Sequence, residues 1–309
     1  MRKIETKQAL YIKLGEGGTW ERECTKDGTL RLGYHHLSHE LCIEGKWPEV
    51  LAEILKTTKD KGAATRHLNQ VRFFYEAHPD TLWITFNSDR LFWCFAKTEV
   101  TLNKDGSKTR QTISGWRDKN IKGEMLTKKN ISGKVLATQG FQGTICSAPE
   151  IDYLLHKING TVAPHIEAAQ TAFNSLVEKL IPIIKNLNEK DLETFTDLIF
   201  RQAGWSRVGV LGGTEKDIDL DLISPITNER IAVQIKSRAS DAVYTEYRNK
   251  FSDMRGYTKF YFVTHSPTAA LVKAASLNTD GNFIFWGAQE LADFSAKNGL
   301  IGWLLDKAS

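Results

Sequence analysis

The chain has 309 residues, 41% hydrophobic and 25% charged, which is the balance of a globular protein with room for two domains, each holding its own core. Cys24, Cys42, Cys94 and Cys146 are widely spaced with no Cys-x-x-Cys pair, excluding a zinc knuckle and a disulfide framework; they read as reduced, mostly buried thiols. No signal-peptide-like apolar run follows Met1-Arg2-Lys3, and no stretch approaches the roughly 18 apolar residues of a membrane span, so a cytoplasmic protein without membrane contact is expected. The formal charge of +4 is unevenly placed: residues 1–160 carry 25 Lys+Arg against 19 Asp+Glu, and the remainder 16 against 18.

Along the first half, Ala9 to Lys13 reads as a strand, Gly15 to Glu21 as a glycine-rich turn leading into a helix start, and Thr29 to Tyr34 as a second strand entered through Asp27-Gly28. Residues 47–59 and 63–76 have helical spacing, with Val50, Leu51, Ile54 and Leu55 on one face and Leu68, Val71, Phe74 and Tyr75 on another. Strands follow over Thr81 to Phe86 and Arg90 to Val100, and Asp105-Gly106 marks a hairpin before Arg110 to Ile113. The region predicts a small mixed barrel with inserted helices. The positive excess concentrates between Lys104 and Lys134, so Lys108, Arg110 and Arg117 are candidates for DNA-backbone contact. His35, His36 and His39 lack partners at zinc-site spacing and read as a surface loop.

Pro164 to Asn186 has heptad-like apolar spacing interrupted by Pro182, which should kink or end a helix; residues 161–187 are expected to be a helical linker, with a homodimer contact as one use for it. Asn188 can cap the next helix, whose stripe is Leu192, Phe195 and Ile199 and whose adjacent face carries Glu193 and Asp197. After a hairpin through residue 236, the pattern continues as helix to Met254, strand Lys259 to Thr264, helix Thr268 to Leu277, strand Asn282 to Phe285, helix Ala288 to Lys297, and a last turn around Trp303. Alternating strands and helices predict an α/β layer around a mixed sheet.

The hairpin carries the chemistry. Asp217, Asp219 and Asp221 are spaced by two, so on a strand they point to one side and Ile218, Leu220 and Leu222 to the other; Gln234 and Lys236 repeat that spacing on the return strand. Acidic oxygens facing an amide and an ammonium form a site for a hard divalent cation beside a fixed positive charge. Phosphodiester hydrolysis uses that combination.

Residues 212–236, with Gln234-x-Lys236 at their end, resemble the PD-(D/E)xK nuclease superfamily, and within it the Mrr-like restriction branch. Glu193 stands about eleven residues before Gly204-Trp205, as the helix glutamate of that branch stands before its Gly-aromatic pair. Glu215 and Asp217 occupy positions where the family usually has aspartate and glycine. The resemblance implies a restriction-endonuclease-like α/β sandwich over residues 188–309. It also implies Mg²⁺ or Mn²⁺ held by Asp219, Glu193 and the neighbourhood of Gln234, with Lys236 positioning water and Glu215, Asp217 and Asp221 as possible additional acids.

A second resemblance covers about residues 7 to 115. Its features are the glycine loop with Trp20-Glu21, a strand ending in Gly33-Tyr34, two helices, and strands of the form Asp80-x-x-Trp83-Ile84-x-Phe86 and Leu91-Phe92-x-Cys94. These look like EVE-like members of the PUA superfamily, which implies a base-reading domain over residues 1–160 that holds a flipped base between rings. Trp20, Tyr34 and Trp116 are the pocket candidates. No Walker motif, zinc-deaminase motif or Gly-x-Ser-x-Gly elbow occurs, so no nucleotide triphosphate is expected. The combined expectation is a modification-dependent, type IV-like DNA endonuclease acting on double-stranded DNA in antiphage defence. A structure-specific nuclease for branched DNA or RNA, and a non-catalytic binding protein, remain as alternatives.

Overall fold

The computed structural model describes residues 3–208 and 218–309. It divides into two units, Met1–Ile166 and Glu167–Ser309. Among the described residues, no helix is long and apolar enough to cross a membrane.

The first unit contains β1 (Ala9–Ile12), α1 (Glu21–Asp27), β2 (Thr29–Leu32), α2 (His39–Ile43), α3 (Trp47–Thr57) and α4 (Lys61–Glu76). These are followed by β3 (Leu82–Asn87), β4 (Arg90–Cys94), β5 (Ala96–Leu102), β6 (Lys108–Thr112), α5 (Gly133–Leu136), β7 (Ile145–Ser147) and α6 (Ile151–Asn159). β1 pairs parallel with β3 and antiparallel with β7, giving a sheet of order β4-β3-β1-β7. A second sheet has order β2-β6-β5.

Both faces of the first sheet are covered. Leu10, Ile12 and Trp83 share a core with Leu30 and Leu32 of the second sheet, while Tyr11, Ile84 and Phe86 pack with Leu126, Leu154 and Ile158 on the other side. Each such fully buried Leu, Ile or Phe contributes about 1.5–3 kcal/mol. The expected barrel is corrected here: the two sheets do not close on each other among the described residues. The single strand predicted from Arg90 to Val100 divides at Phe95, leaving the first sheet at Cys94 and joining the second at Ala96, where the β5–β6 register shifts. His39, predicted in a loop, opens α2, which Ser38 caps by accepting from the Leu41 N–H. Its Nδ1 meets the Tyr75 hydroxyl at 2.9 Å. The four cysteines are free thiols.

The second unit contains α7 (Pro164–Lys185), α8 (Glu189–Gln202), β8 (Ser206–Arg207), β9 (Leu220–Ile223), β10 (Arg230–Ala239) and α9 (Asp241–Asp253). Then come β11 (Lys259–Pro267), α10 (Ala269–Ser276), β12 (Phe283–Trp286), α11 (Ala288–Lys297) and α12 (Ile301–Ala308). Its five-stranded mixed sheet has order β12-β11-β10-β9-β8, parallel from β10 to β12 and antiparallel through β9 and β8.

Alternation along β10 sends Ile231, Val233 and Ile235 to a core with α7, α8, α11 and α12. Ala232 goes to an opposite core with Tyr244, Tyr247, Phe260 and Phe262. The segment expected as a linker supplies Val177, Leu180 and Ile184 to the first of these cores. Pro182 lies inside α7 without ending it. Its missing N–H would have served the carbonyl of Glu178, an exposed residue, where losing one helical bond costs less than in the core.

Candidate active site

The hairpin of β9 and β10 positions the central acid. Leu222 pairs with Ile231 and Leu220 with Val233, and the connecting turn places Asn228 in the left-handed region at φ 57°. The strand begins only at Leu220. Asp219 sits at a bend before it, anchored by its own N–H to the Val233 carbonyl at 2.9 Å. Because of that bend the predicted alternation stops short: Leu220 and Leu222 face the α8 core, whereas Ile218 packs with the α9 side.

One oxygen of the Asp219 carboxylate, Oδ2, accepts from the Ile235 N–H and from Gln234 Nε2, both at 2.6 Å. Gln234 is 2% exposed, and its Oε1 is buried with no hydrogen-bond partner. That orientation follows from charge: turning the amide over would set its oxygen against Asp219 Oδ2. Lys236, two residues on along β10, is half-buried.

Glu193 comes from α8, whose N-terminus Asn188 caps by accepting from the Asp191 N–H at 2.9 Å. With Leu192, Phe195 and Ile199 seated in the core, Glu193 is half-buried beside them. Burial raises the Asp219 carboxyl above its ordinary range, and Glu189 pushes the same way; the Ile235 N–H, Lys236 and Arg207 act against the rise. Glu193 is likewise raised, first by burial and then by Asp219 and Glu189, with Lys236 and Arg207 opposing. Asp219 and Glu193 therefore both respond to Glu189, Lys236 and Arg207 here.

Glu189 and Arg207 were not singled out in the sequence. The i,i+4 spacing of Glu189 and Glu193 on one helix was a usable signal; nothing local marked Arg207, which reaches the site through strand pairing.

The other predicted acids separate. Asp221 is taken by Arg230, whose Nε donates to its Oδ1 at 2.8 Å while Nη2 pairs with Oδ2. It faces away from the α8 side because it pairs with Ala232. Asp221 is thus corrected from possible metal acid to structural ion pair. Glu215 and Asp217 lie outside the described residues.

No group of three or more His, Cys, Asp or Glu disposed to hold a metal occurs among the described residues. A hard divalent ion that keeps several waters needs less than such a cage, commonly one or two carboxylates plus substrate phosphate. Asp219 and Glu193, the second raised by the charge of the first, with a partnerless amide oxygen on Gln234 next to Asp219, fit that smaller donor set.

In the first unit, a cleft of about 710 Å³ is lined by Lys13, Gly15, Trp20, His35, Gln142 and Thr144 among others. Trp20 meets His35 edge-on, and the Arg31 guanidinium lies 4.4 Å from the Trp20 ring centre. Tyr34 and Trp116 do not line this cleft. The Tyr34 hydroxyl bonds His67 Nδ1 at 2.7 Å and is pushed up to about 12 by burial, and the Trp116 indole N–H donates to the Thr29 carbonyl at 2.8 Å.

Lys108 and Arg110 are corrected outright as surface cations. They are 1% and 0% exposed, because the alternation of β6 turns them inward with Thr112. Lys108 Nζ donates to the Tyr34 and Leu37 carbonyls, and the Arg110 guanidinium to those of Phe74, Ala77 and Lys97. Arg110 thereby serves carbonyls that the C-terminal end of α4 leaves unpaired. Arg117 is partly buried, its guanidinium 5.4 Å from the Trp93 ring centre.

No protein-family model and no curated protein matches the chain. Among solved structures it is similar to the DNA modification-dependent restriction endonuclease AspBHI, at 12% identity and TM-score 0.31 over 91% of this chain and 79% of that one. It is also similar to the MspJI restriction endonuclease in complex with a 27-mer oligonucleotide, at 11% identity and TM-score 0.30 over 92% and 74%. A repair endonuclease from Pyrococcus abyssi is similar at 10% identity and TM-score 0.21, over 68% of this chain and 66% of that one. The match thus spans just under two thirds of the repair enzyme's length.

Proposed function

We propose that the second unit hydrolyses phosphodiester bonds of double-stranded DNA with Mg²⁺ or Mn²⁺, and that the first unit reads a modified base, making the chain a modification-dependent endonuclease. The observation that carries this reading is the Asp219 carboxylate, pinned by Gln234 and Ile235 of the next strand, electrostatically coupled to Glu193, and opposed by Lys236.

Asp219 and Glu193 would hold the cation, and Gln234 keeps Asp219 from rotating. When bound, the ion supplies positive charge at the phosphate and lowers the pKa of a coordinated water. Lys236 donates N–H bonds that orient the attacking water against the phosphorus. The water oxygen forms a bond to phosphorus, one ester P–O bond breaks, the water proton passes to solvent and the leaving oxygen takes up a proton. The Trp20 cleft supports the reading half of the proposal: a ring beside Lys13 and His35 offers a stacking face and polar edges to an extruded base.

The test is nicking of duplexes carrying methylated, hydroxymethylated or glucosylated cytosine, or methylated adenine, beside their unmodified counterparts. Cleavage should need Mg²⁺ or Mn²⁺ and favour a modified duplex. Cleavage that survives excess chelator or is intact in Asp219→Ala protein removes the nuclease reading; equal cutting of every duplex removes the base-reading half.

A further inference from the structure

Arg207 is held against the main chain of the central acid. On the edge strand β8 it stands opposite Leu222 of β9, and residues directly opposed in an antiparallel pair project to the same face, here the α8 face that carries Glu193. Its Nη2 donates to the Asp219 backbone carbonyl at 2.9 Å. That bond uses one of the five N–H donors of a guanidinium. The side chain is half-buried, and among the described residues it makes no ion pair, although Asp219 and Glu193 both respond to its charge. Asp221 and Asp197, by contrast, each pair with an arginine, Arg230 and Arg201. A cation fixed beside a cluster of acids yet bonded, among the described residues, only to a carbonyl has further donors to offer an anion that arrives from outside.

We infer that Arg207 is a catalytic residue of the second unit, donating to a non-bridging oxygen of the scissile phosphate and stabilising the charge that builds there as the water–phosphorus bond forms. The inference rests on the nuclease reading above. It assigns the two cations different work: Lys236 orients water, and Arg207 binds phosphate. Arg207 neither gives nor takes a proton in the step. Its planar fork matches two phosphate oxygens in a way an ammonium does not.

Full-length Arg207→Gln and Arg207→Lys proteins test this against the wild type. The readouts are single-turnover cleavage of a duplex the wild type cuts, and Mn²⁺ binding followed by electron paramagnetic resonance without DNA. Arg207→Gln keeps an N–H for the Asp219 carbonyl. It should cut about 10²–10³-fold more slowly, while binding Mn²⁺ as tightly as the wild type or more tightly, because a charge that repelled the ion is gone. Arg207→Lys should recover part of the rate. A Gln variant within threefold of wild-type rate, or one that loses Mn²⁺ affinity in step with rate, overturns the proposal; the second result would mean that Arg207 only shapes Asp219. If the Gln variant fails to fold, the Lys variant decides. A loss of about five- to fiftyfold at unchanged Mn²⁺ affinity supports the fork, and full rate refutes it. Wild-type protein that cuts no duplex with either metal removes the nuclease reading itself, whatever the variants do.

Discussion

Gln234 donates its side-chain amide to the Asp219 carboxylate at 2.6 Å, and its own amide oxygen stays buried without a partner. Gln234→Glu would replace that donor by a second carboxylate facing the first. In chelator at pH 8 the variant should melt about 3–8 °C below the wild type, the effect of roughly 2 kcal/mol. Adding Mg²⁺ or Mn²⁺ should raise its melting temperature more than it raises that of the wild type. Equal metal-induced shifts in calorimetry would place the cation elsewhere.

Asp219→Ala and Lys236→Ala should each reduce cleavage by about 10³-fold or more while leaving DNA affinity within about threefold, because they remove charge at the reaction centre and little core volume. Glu193→Ala should be milder. Single-turnover rates beside anisotropy titrations make the comparison, and parallel losses of rate and affinity would count against the assignment.

Burial, Asp219 and Glu189 raise the Glu193 carboxyl, so its ionised form is disfavoured in the folded state. The penalty is complete above the folded pKa and absent below the unfolded value near 4.3. Glu193→Gln should therefore melt higher than the wild type at pH 8, by on the order of a degree or two, and the two curves should converge as pH falls below about 4. A constant difference across pH would show that Glu193 acts by packing alone.

Arg110 satisfies three main-chain carbonyls while fully buried. Arg110→Met should destabilise the first unit by about 3–5 kcal/mol, since those acceptors lose their donor. Lys108→Met, with two carbonyls at stake, should lose less. Chemical denaturation of each variant measures both. Any folded Lys108→Met protein should retain the wild-type salt dependence of DNA binding, as a cation without solvent access releases no counterions.

In cleavage-dead Asp219→Ala protein, preference for a modified duplex should amount to about 1–3 kcal/mol, roughly ten- to two-hundredfold. Trp20→Ala in that background should lose the preference more than the affinity. Competition binding with the panel of modified duplexes decides it, and an undiminished preference would move the reader away from the Trp20 cleft.

The second unit was largely legible in the sequence because its signals are local. Period-two residues from Leu220 to Leu222 and 231 to 236 marked the hairpin, and period-3.6 residues from Leu192 to Ile199 marked α8. Asp219, Gln234 and Lys236 could be grouped since one hairpin carries all three. Arg207 could not, because it comes to Asp219 through an edge-strand register that no pattern announces. In the first unit the same alternation rule was available and was outweighed by charge: Lys108, Arg110 and Thr112 sit at inward positions of β6, yet cationic side chains read as surface until the carbonyls they serve are known. The barrel failed for a similar reason, as Phe95 divides one apolar run between two sheets.

The repulsion between Glu193 and Asp219 has a kinetic side. Asp219 meets Gln234 and Ile235 across only 15 and 16 residues, a hairpin contact of the kind that forms in about 1–10 μs. Glu193 is brought in by α8, which packs on the sheet through Leu192, Phe195 and Ile199, a contact of longer sequence separation expected to form after the hairpin. Repulsion that appears only after the hairpin has formed leaves the folding rate nearly untouched and falls on the unfolding limb. If the proposed cation binds here, the second unit should open faster in its absence than its apolar core alone would dictate, and the bound ion should lengthen the lifetime of the native state. Resistance of this unit to proteolysis should then rise when Mg²⁺ or Mn²⁺ is added.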